Sequence, residues 1–268
     1  MAVSPHLDDA VFSIGGTLAA LVAASWTVRV VTCFTASVPD PSPFALACQL
    51  DKGLTADVDY MAVRRAEDAA ACAMLGVQPV HLPLPEAPHR GYPDAAALFT
   101  GVRADDRITA ALDPMLRPHL AEADVVLAPQ ALGDHVDHRV VTATVARLAP
   151  DGLWWRDVPY VSRQRAASAG VGAPGAVEAG VDIGGYLAAK IAAARSYHSQ
   201  LGFQFGAGGV APLLQDLAAA EAARLGLPGT VEALRGRADC LVRIGAVLPA
   251  SSVSTNTTGR RTSRLRHR

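Results

Sequence analysis

The sequence predicts a single α/β domain with a Rossmann-like, mostly parallel sheet and helices on both faces. Short β-branched or apolar runs, typical of buried strands, occupy residues 28–34, 79–82 and 125–128. Apolar side chains at helical spacing recur over residues 62–75, 106–120 and 136–148. Because strands that alternate with helices pair in parallel, the two patterns together indicate this fold class. A chain of 268 residues is long enough for one sizeable core.

The remaining segments complete one domain, predicted to span residues 1–250. A very short first strand precedes His6, and the proline-containing segment 36–60 is long enough to be a functional loop with a helical turn. We expect a flexible connection or lid at residues 162–180 and helical regions at residues 183–200 and 212–225. A late edge strand is expected at residues 239–244. Gly, Ser, Thr and Arg dominate residues 251–268, which predicts a disordered tail.

Bulk properties narrow the classes of function. A net charge of -1 argues against nucleic acid as the main partner. There is no apolar run long enough for a membrane span and no secretory signal pattern. The four cysteines are scattered, without a CxxC pair, and are typical of a reducing compartment. We therefore expect a cytoplasmic protein that acts on a small molecule; the oligomeric state stays open.

Two polar clusters each follow a short apolar run. Residues 3–9 read VSPHLDD, and residues 133–138 read GDHVDH. In a parallel sheet such loops meet beyond the carboxyl ends of the strands, where α/β proteins form their sites. Either cluster alone could consist of helix caps and surface polar groups, but their joint position at strand ends favours one shared site.

The residue types in these clusters match a hydrolytic zinc site. Such a site takes three nitrogen or oxygen ligands and leaves a position for water, which the metal activates while it polarises a carbonyl. A nearby carboxylate can act as general base. The candidates are His6, Asp8, Asp9, His135, Asp137 and His138. Spacing alone leaves open which aspartate binds the metal, and such a ligand set also accepts Fe(II) or Co(II).

Other motifs do not support a rival chemistry. GVGAPG at 170–175 matches GxGxxG in form, but no strand precedes it and a proline stands where the helix should begin. The chain has neither a GxSxG elbow nor a P-loop lysine motif. Serine hydrolase and nucleotide hydrolase functions therefore lack their nucleophile or phosphate-binding loop.

The two clusters resemble the signatures of the PIG-L/LmbE deacetylase family. SPHLDDAVFSIGG is similar to its His-Pro-Asp-Asp-Glu block and GDHVDHRVV to its His-x-Asp-His block; RRAEDAAACAMLG, WWRDVPY and KIAAARSYHSQL are similar to other family blocks. Leu7 and Ala10 replace the usual Pro and Glu. The resemblance implies an LmbE-like fold, a Zn²⁺ cofactor and removal of N-acetyl groups from glucosamine-type sugars. The PHLDDA variant and the long loop resemble the branch that acts on secondary metabolites such as glycopeptide antibiotics.

The resemblance also implies roles for individual residues. The zinc ligands would be His6, Asp9 and His138. Asp8 would be the general base and then the acid for the leaving amine, and His135 would stabilise the oxyanion as an imidazolium.

Further residues are expected around this centre. By the same resemblance, Asp137 would orient a ligand histidine and Arg64 would reach sugar hydroxyls. His89 and Arg90 follow the third predicted strand and are candidates for lining the substrate pocket.

The sequence thus predicts a zinc-dependent enzyme that hydrolyses the N-acyl amide of an amino sugar. Two alternatives stay open. One is an amidase with the same metal site that acts on a thiol conjugate or another non-sugar amide. The other is a sugar-binding or metal-binding module that has lost catalysis, against which the intact Asp8 argues.

Overall fold

Eight strands form a single sheet in the part of the chain that the structure describes. The computed structural model describes residues 1–163 and 175–245, and the backbone of residues 253–255. The strands are β1 Ala2–Ser4, β2 Arg29–Thr32, β3 Gln78–His81, β4 Leu127–Pro129, β5 Leu153–Trp155, β6 Val177–Asp182, β7 Val231–Gly236 and β8 Val253–Thr255. Their spatial order is β3-β2-β1-β4-β5-β7-β6-β8.

The first five strands in this order are parallel, and β7, β6 and β8 join by antiparallel pairing. The prediction of a mostly parallel α/β sheet is therefore confirmed. The order of the strands reverses between β1 and β4, which lie side by side. Ligands of such sheets bind at this reversal point, outside the carboxyl ends of the strands.

Helices cover both faces of the sheet. They are α1 Asp9–Ala23, α2 Pro43–Leu50, α3 Tyr60–Leu75, α4 Ile108–Ala121, α5 Val136–Leu148, α6 Tyr160–Arg163, α7 Leu187–Ala194, α8 His198–Phe205, α9 Val210–Leu225 and α10 Ala238–Gly245. None of these described helices is both long and apolar enough to cross a membrane.

Alternation along the strands divides the core into two layers. Ala2 and Val30 pack into a layer with α1, α3, α7 and α9. Their neighbours Val3 and Val31 pack into the other layer with α4 and α5. Because both faces of β1 and β2 are buried, these strands are apolar throughout, as is typical of a parallel sheet.

Several segments differ from the sequence prediction. Residues 239–244 lie in α10 and not in an edge strand, because Leu241 and Ile244 are buried at helical spacing. The region 183–200 contains two helices, α7 and α8, where one was expected. Residues 177–182 form β6, although they overlap the predicted flexible connection; residues 164–174 of that connection lie outside the described part.

The end of the chain also differs from its prediction. Strand β8, at residues 253–255, pairs with β6 inside the range predicted to be a disordered tail. The rest of that tail lies outside the described residues. A boundary at residue 250 stays a prediction.

Helix α1 carries a kink that a buried ion pair stabilises. At Ile14 the backbone leaves helical geometry, with φ -131° and ψ 21°. The amides of Gly16 and Thr17, at the start of the second half, donate to the Glu232 carboxylate at 3.0 and 2.7 Å. Lys190 Nζ donates to the Ser13 carbonyl at 3.2 Å and to Glu232 at 2.6 Å. The pair thus satisfies backbone groups that the kink leaves without helical partners.

Replacing Glu232 by Gln should destabilise the fold strongly. The substitution keeps the shape but leaves the Lys190 ammonium, only 3% exposed, without its counter-charge. Breaking a buried pair in this way costs about 3–5 kcal/mol. Urea unfolding followed by circular dichroism measures the loss. The control is Glu178→Gln, which removes the more exposed pair with Arg224 and should cost less than about 1 kcal/mol. Equal losses in the two variants would contradict the role of Glu232.

Candidate active site

The two polar clusters converge at the reversal point of the sheet. His6 follows β1, and the loop that carries His135 and His138 follows the adjacent β4. Asp9 begins α1, and His138 lies in the first turn of α5. The short β1 therefore presents its cluster directly beside that of β4, as the alternating pattern predicted.

Three side-chain atoms lie at separations suited to a shared metal ion. Asp9 Oδ2 is 3.3 Å from His6 Nδ1 and 3.2 Å from His138 Nε2. Two ligand atoms about 2.1 Å from a tetrahedral metal lie about 3.4 Å apart. His138 Nε2 is buried and makes no hydrogen bond within the described residues. The donor set of two imidazoles and a carboxylate, with this orphaned nitrogen, fits zinc.

Two carboxylates fix the orientation of the histidines. Asp137 Oδ2 is 2.9 Å from His6 Nε2, and Asp157 Oδ1 is 2.8 Å from His138 Nδ1. With a metal ion bound, a proton on each outer nitrogen would leave the lone pairs of His6 Nδ1 and His138 Nε2 for the metal. The predicted position of Asp137 behind a histidine is therefore observed. Asp157 was not among the residues predicted for the site, although it follows the apolar run of β5 and could have been found as a further strand-end carboxylate.

Opposite charges hold the buried carboxylates of Asp137 and Asp9 ionised. Burial alone would raise the pKa of Asp137, but the hydrogen bond to His6 and the charge of Arg90 hold it well below its usual range. Burial would likewise raise the pKa of Asp9, and the charges of His138 and His6 lower it well below its usual range. Both groups are therefore carboxylates at neutral pH.

The structure corrects the expected contacts of His89 and Arg90. Arg90 donates to Asp137 at 2.7 Å and to Asp106 at 3.1 Å. These ion pairs place its guanidinium behind Asp137 and away from the substrate cleft. His89 borders a neighbouring pocket with Ser37 and not the cleft. Neither residue is in position to bind the substrate directly.

Asp8 lies beside the three converging atoms but is not one of them. It is 4% exposed, and its Oδ2 makes no hydrogen bond within the described residues. Its φ of 150° is one that residues with a side chain rarely adopt, and such strain occurs at functional sites. Burial raises the pKa of Asp8 to about 8, with Arg64 opposing the rise and Asp9 adding to it.

Arg64 contacts Asp8, a contact that the sequence did not predict. Its Nη2 lies 3.6 Å from Asp8 Oδ1 and donates to the Leu7 carbonyl at 3.2 Å. Its Nη1 pairs with Glu86, a residue without a distinguishing signal in the sequence. Both terminal nitrogens are thus engaged by the protein. Arg64 also lines the cleft, so its expected contact with sugar hydroxyls stays a prediction, and the structure adds a contact that positions Asp8.

His135 is a neutral imidazole in this geometry. Its Nδ1 accepts a hydrogen bond from the Asp137 amide at 3.2 Å, so its proton lies on Nε2. Burial lowers the pKa of His135 to about 3, and the charges of His6 and His138 contribute. The hydrogen bond and the burial favour a neutral His135 over the predicted imidazolium, whose part in catalysis stays a prediction. Ligand nitrogens of the three histidines lie within 4.8 Å of one another, so His135 borders the same space.

His6, Asp8, Asp9 and His135 line a cleft of about 220 Å³ that opens to solvent. The segment 36–60 borders it through α2 and the turn after it, which contribute Phe44, Cys48 and Lys52. Phe99 and Phe203 also line the cleft and are 44% and 59% exposed. The cleft therefore combines a polar floor with walls that are partly aromatic, as small-molecule sites commonly do.

Comparisons with known proteins agree with this geometry. The family model described as "PIG-L: GlcNAc-PI de-N-acetylase" matches residues 1–149. The chain is 34% identical over 209 residues to the 2'-N-acetylparomamine deacetylase of Streptomyces fradiae, covering 74% of this chain and 72% of the relative.

Solved structures extend the likeness to the whole fold. The A40926 pseudoaglycone deacetylase Dbv21 is 28% identical, with a TM-score of 0.70 over 87% of this chain and 94% of that one. The zinc-inhibited form of the teicoplanin deacetylase Orf2 shares the fold, with a TM-score of 0.74, 24% identity and coverage of 96% and 98%. With the family match over more than half of its length, the chain belongs to the PIG-L family.

Proposed function

We propose that this chain is a zinc-dependent hydrolase that removes an N-acetyl group from an amino sugar of a secondary metabolite. The observation that carries the proposal is the convergence of His6 Nδ1, Asp9 Oδ2 and His138 Nε2 beside the buried Asp8. The names of the relatives, deacetylases of 2'-N-acetylparomamine and of glycopeptide antibiotics, support the substrate class.

His6, Asp9 and His138 would hold the metal ion. When bound, zinc supplies a Lewis acid that polarises the amide carbonyl and makes a coordinated water more acidic. The hydrogen bonds that His6 and His138 donate to Asp137 and Asp157 keep both histidines oriented for this role.

Asp8 is the proposed proton carrier. Its carboxylate takes a proton as the water oxygen bonds to the carbonyl carbon, and it gives a proton to the nitrogen as the carbon–nitrogen bond breaks. The products are acetate and the free amine. A divalent cation near Asp9 favours the charged form of Asp8, which opposes the effect of burial and brings the pKa toward neutrality. Arg64, held by Glu86, keeps the carboxylate in place.

His135 would stabilise the oxygen that gains negative charge during the attack. Its Nε2–H is a neutral donor, because Nδ1 accepts from the Asp137 amide. A fixed donor of this kind needs no reorganisation when the charge develops. The donor is ready at neutral pH, since the lowered pKa of His135 removes any competing protonation at Nδ1.

We further propose that the enzyme acts in the cytoplasm on a small molecule and not on nucleic acid. The net charge of -1 and the four free cysteines favour both statements.

Replacing Asp8 by Ala should abolish most turnover while metal stays bound. General acid–base catalysis contributes about 10²–10⁴-fold, so kcat should fall by that factor. Release of acetate and of amine from an N-acetylglucosamine glycoside, measured in parallel, gives kcat and shows which bond is cleaved. Asp105→Ala, at an exposed site, is the control. Near-normal turnover of Asp8→Ala with full metal content would falsify the assignment of the base.

Two further variants separate metal binding from catalysis. His138→Ala should purify without stoichiometric zinc, because it removes one of three ligands. Asp157→Asn should weaken zinc binding about 10- to 100-fold, since a carboxylate behind a ligand histidine makes it a better donor.

Competition with a chromogenic chelator measures both affinities. Asp113→Asn, which changes a half-buried carboxylate paired with Arg117 outside the cleft, should bind zinc like the unmodified chain. Unchanged affinity in Asp157→Asn would show that this residue does not act through His138.

A further inference from the structure

The ammonium group of Lys52 lies in the cleft without a carboxylate partner among the described residues. The residue follows α2 in the chain, is half-buried and lines the cleft together with Asp8 and Arg64. Its Nζ donates to the Cys48 carbonyl at 3.0 Å and lies 4.6 Å from the centre of the Phe203 ring. In the described residues it forms no ion pair with a carboxylate.

The partial burial of the ammonium has a cost, because removing a charge from water is unfavourable unless the charge is paired. Burial, followed by the charge of Arg64, lowers the pKa of Lys52. The nearby Glu86 is already paired with Arg64. The aromatic rings stabilise the cation only in part, and one carbonyl acceptor leaves the other N–H donors of the ammonium for a ligand.

The surroundings of Lys52 indicate the kind of ligand. The exposed rings of Phe99 and Phe203 offer apolar surface on the same cleft. Asp51 is the acidic group beside Lys52 in the chain, but it is exposed and does not pair with Lys52. A substrate group with several positive charges would meet Lys52 and Arg64. An apolar group with a negative charge would match both the rings and the ammonium.

We propose that Lys52 binds a carboxylate carried by the aglycone, the part of the substrate attached to the amino sugar. This inference rests on the proposed function, since the amide must lie at Asp8 for the aglycone to reach Lys52. It makes Lys52 a residue that determines specificity: the enzyme prefers an amino sugar with an apolar, anionic aglycone to one with a cationic aglycone.

Three matched substrates test the preference. They are phenyl glycosides of N-acetylglucosamine that carry a carboxylate, a carboxamide or an aminomethyl group at the para position. A charge-assisted hydrogen bond is stronger than a neutral one, so kcat/KM should be about tenfold higher for the carboxylate than for the carboxamide. The aminomethyl glycoside should be the poorest of the three.

Variants then assign the preference to Lys52. Lys52→Met keeps the length of the side chain and removes its charge. In this variant the ratio of kcat/KM for the carboxylate substrate to kcat/KM for the carboxamide substrate should fall to about one. Lys52→Arg should restore most of it. Arg107→Met removes an exposed positive charge outside the cleft and should leave the ratio as it is in the unmodified chain. This control separates a contact with Lys52 from a change in net charge.

Calorimetric titration with the deacetylated glycosides gives a second readout that needs no turnover. The carboxylate should bind more tightly than the carboxamide to the unmodified chain but not to Lys52→Met. Hydrolysis of all three substrates without this discrimination, or a preference for the aminomethyl group, overturns the role of Lys52 and leaves the proposed function intact. Binding that depends on Lys52 without any hydrolysis overturns the proposed function and supports the anion site.

Discussion

The carboxylate of Asp9, buried between two imidazoles, is the interaction on which the site depends. With Oδ2 3.3 Å from His6 Nδ1 and 3.2 Å from His138 Nε2, it joins the end of β1 to the start of α5. Charges buried in this way are tolerated only when they are paired and hydrogen-bonded. Each histidine therefore has a second carboxylate behind it, and Arg90 balances the charge of Asp137.

Helix α1 connects this centre to the rest of the fold. Its first residue is Asp9, and four residues later Ser13 Oγ accepts a hydrogen bond from the Val158 amide at 3.0 Å. Val158 follows Asp157, the partner of His138. One turn of α1 therefore holds Asp9 in register with the segment that orients His138. The kink that comes next is stabilised from the far side by Glu232 and Lys190. Helix α1 thus both provides the Asp9 carboxylate and packs against the buried pair of Glu232 and Lys190.

Local patterns predicted β1 to β4 and the central residues, because His6, Asp9 and His138 directly follow or begin regular elements. They did not predict β5 or the antiparallel half. The three-residue β5 carries too little periodicity, and β6 (VEAGVD) and β7 (VEALRG) interrupt their apolar residues with glycine and charged groups. Glu232 lies 216 residues from the Gly16 amide that it accepts from. Glu86 and Lys52 are single polar residues without a motif, and only long-range folding brings them to the cleft. The neutral form of His135 was not predicted, because its hydrogen bond to the Asp137 amide is set by the backbone.

Anomalous diffraction at the zinc edge, from crystals of the zinc-loaded protein, tests the central claim most directly. A single peak is expected within about 2.3 Å of His6 Nδ1, Asp9 Oδ2 and His138 Nε2, with the Asp8 carboxylate beside it but not coordinating. A peak coordinated by His6, His135 and His138 with Asp9 unbound, or the absence of a peak at this position, would contradict the assignment of Asp9 to the metal and of Asp8 to proton transfer.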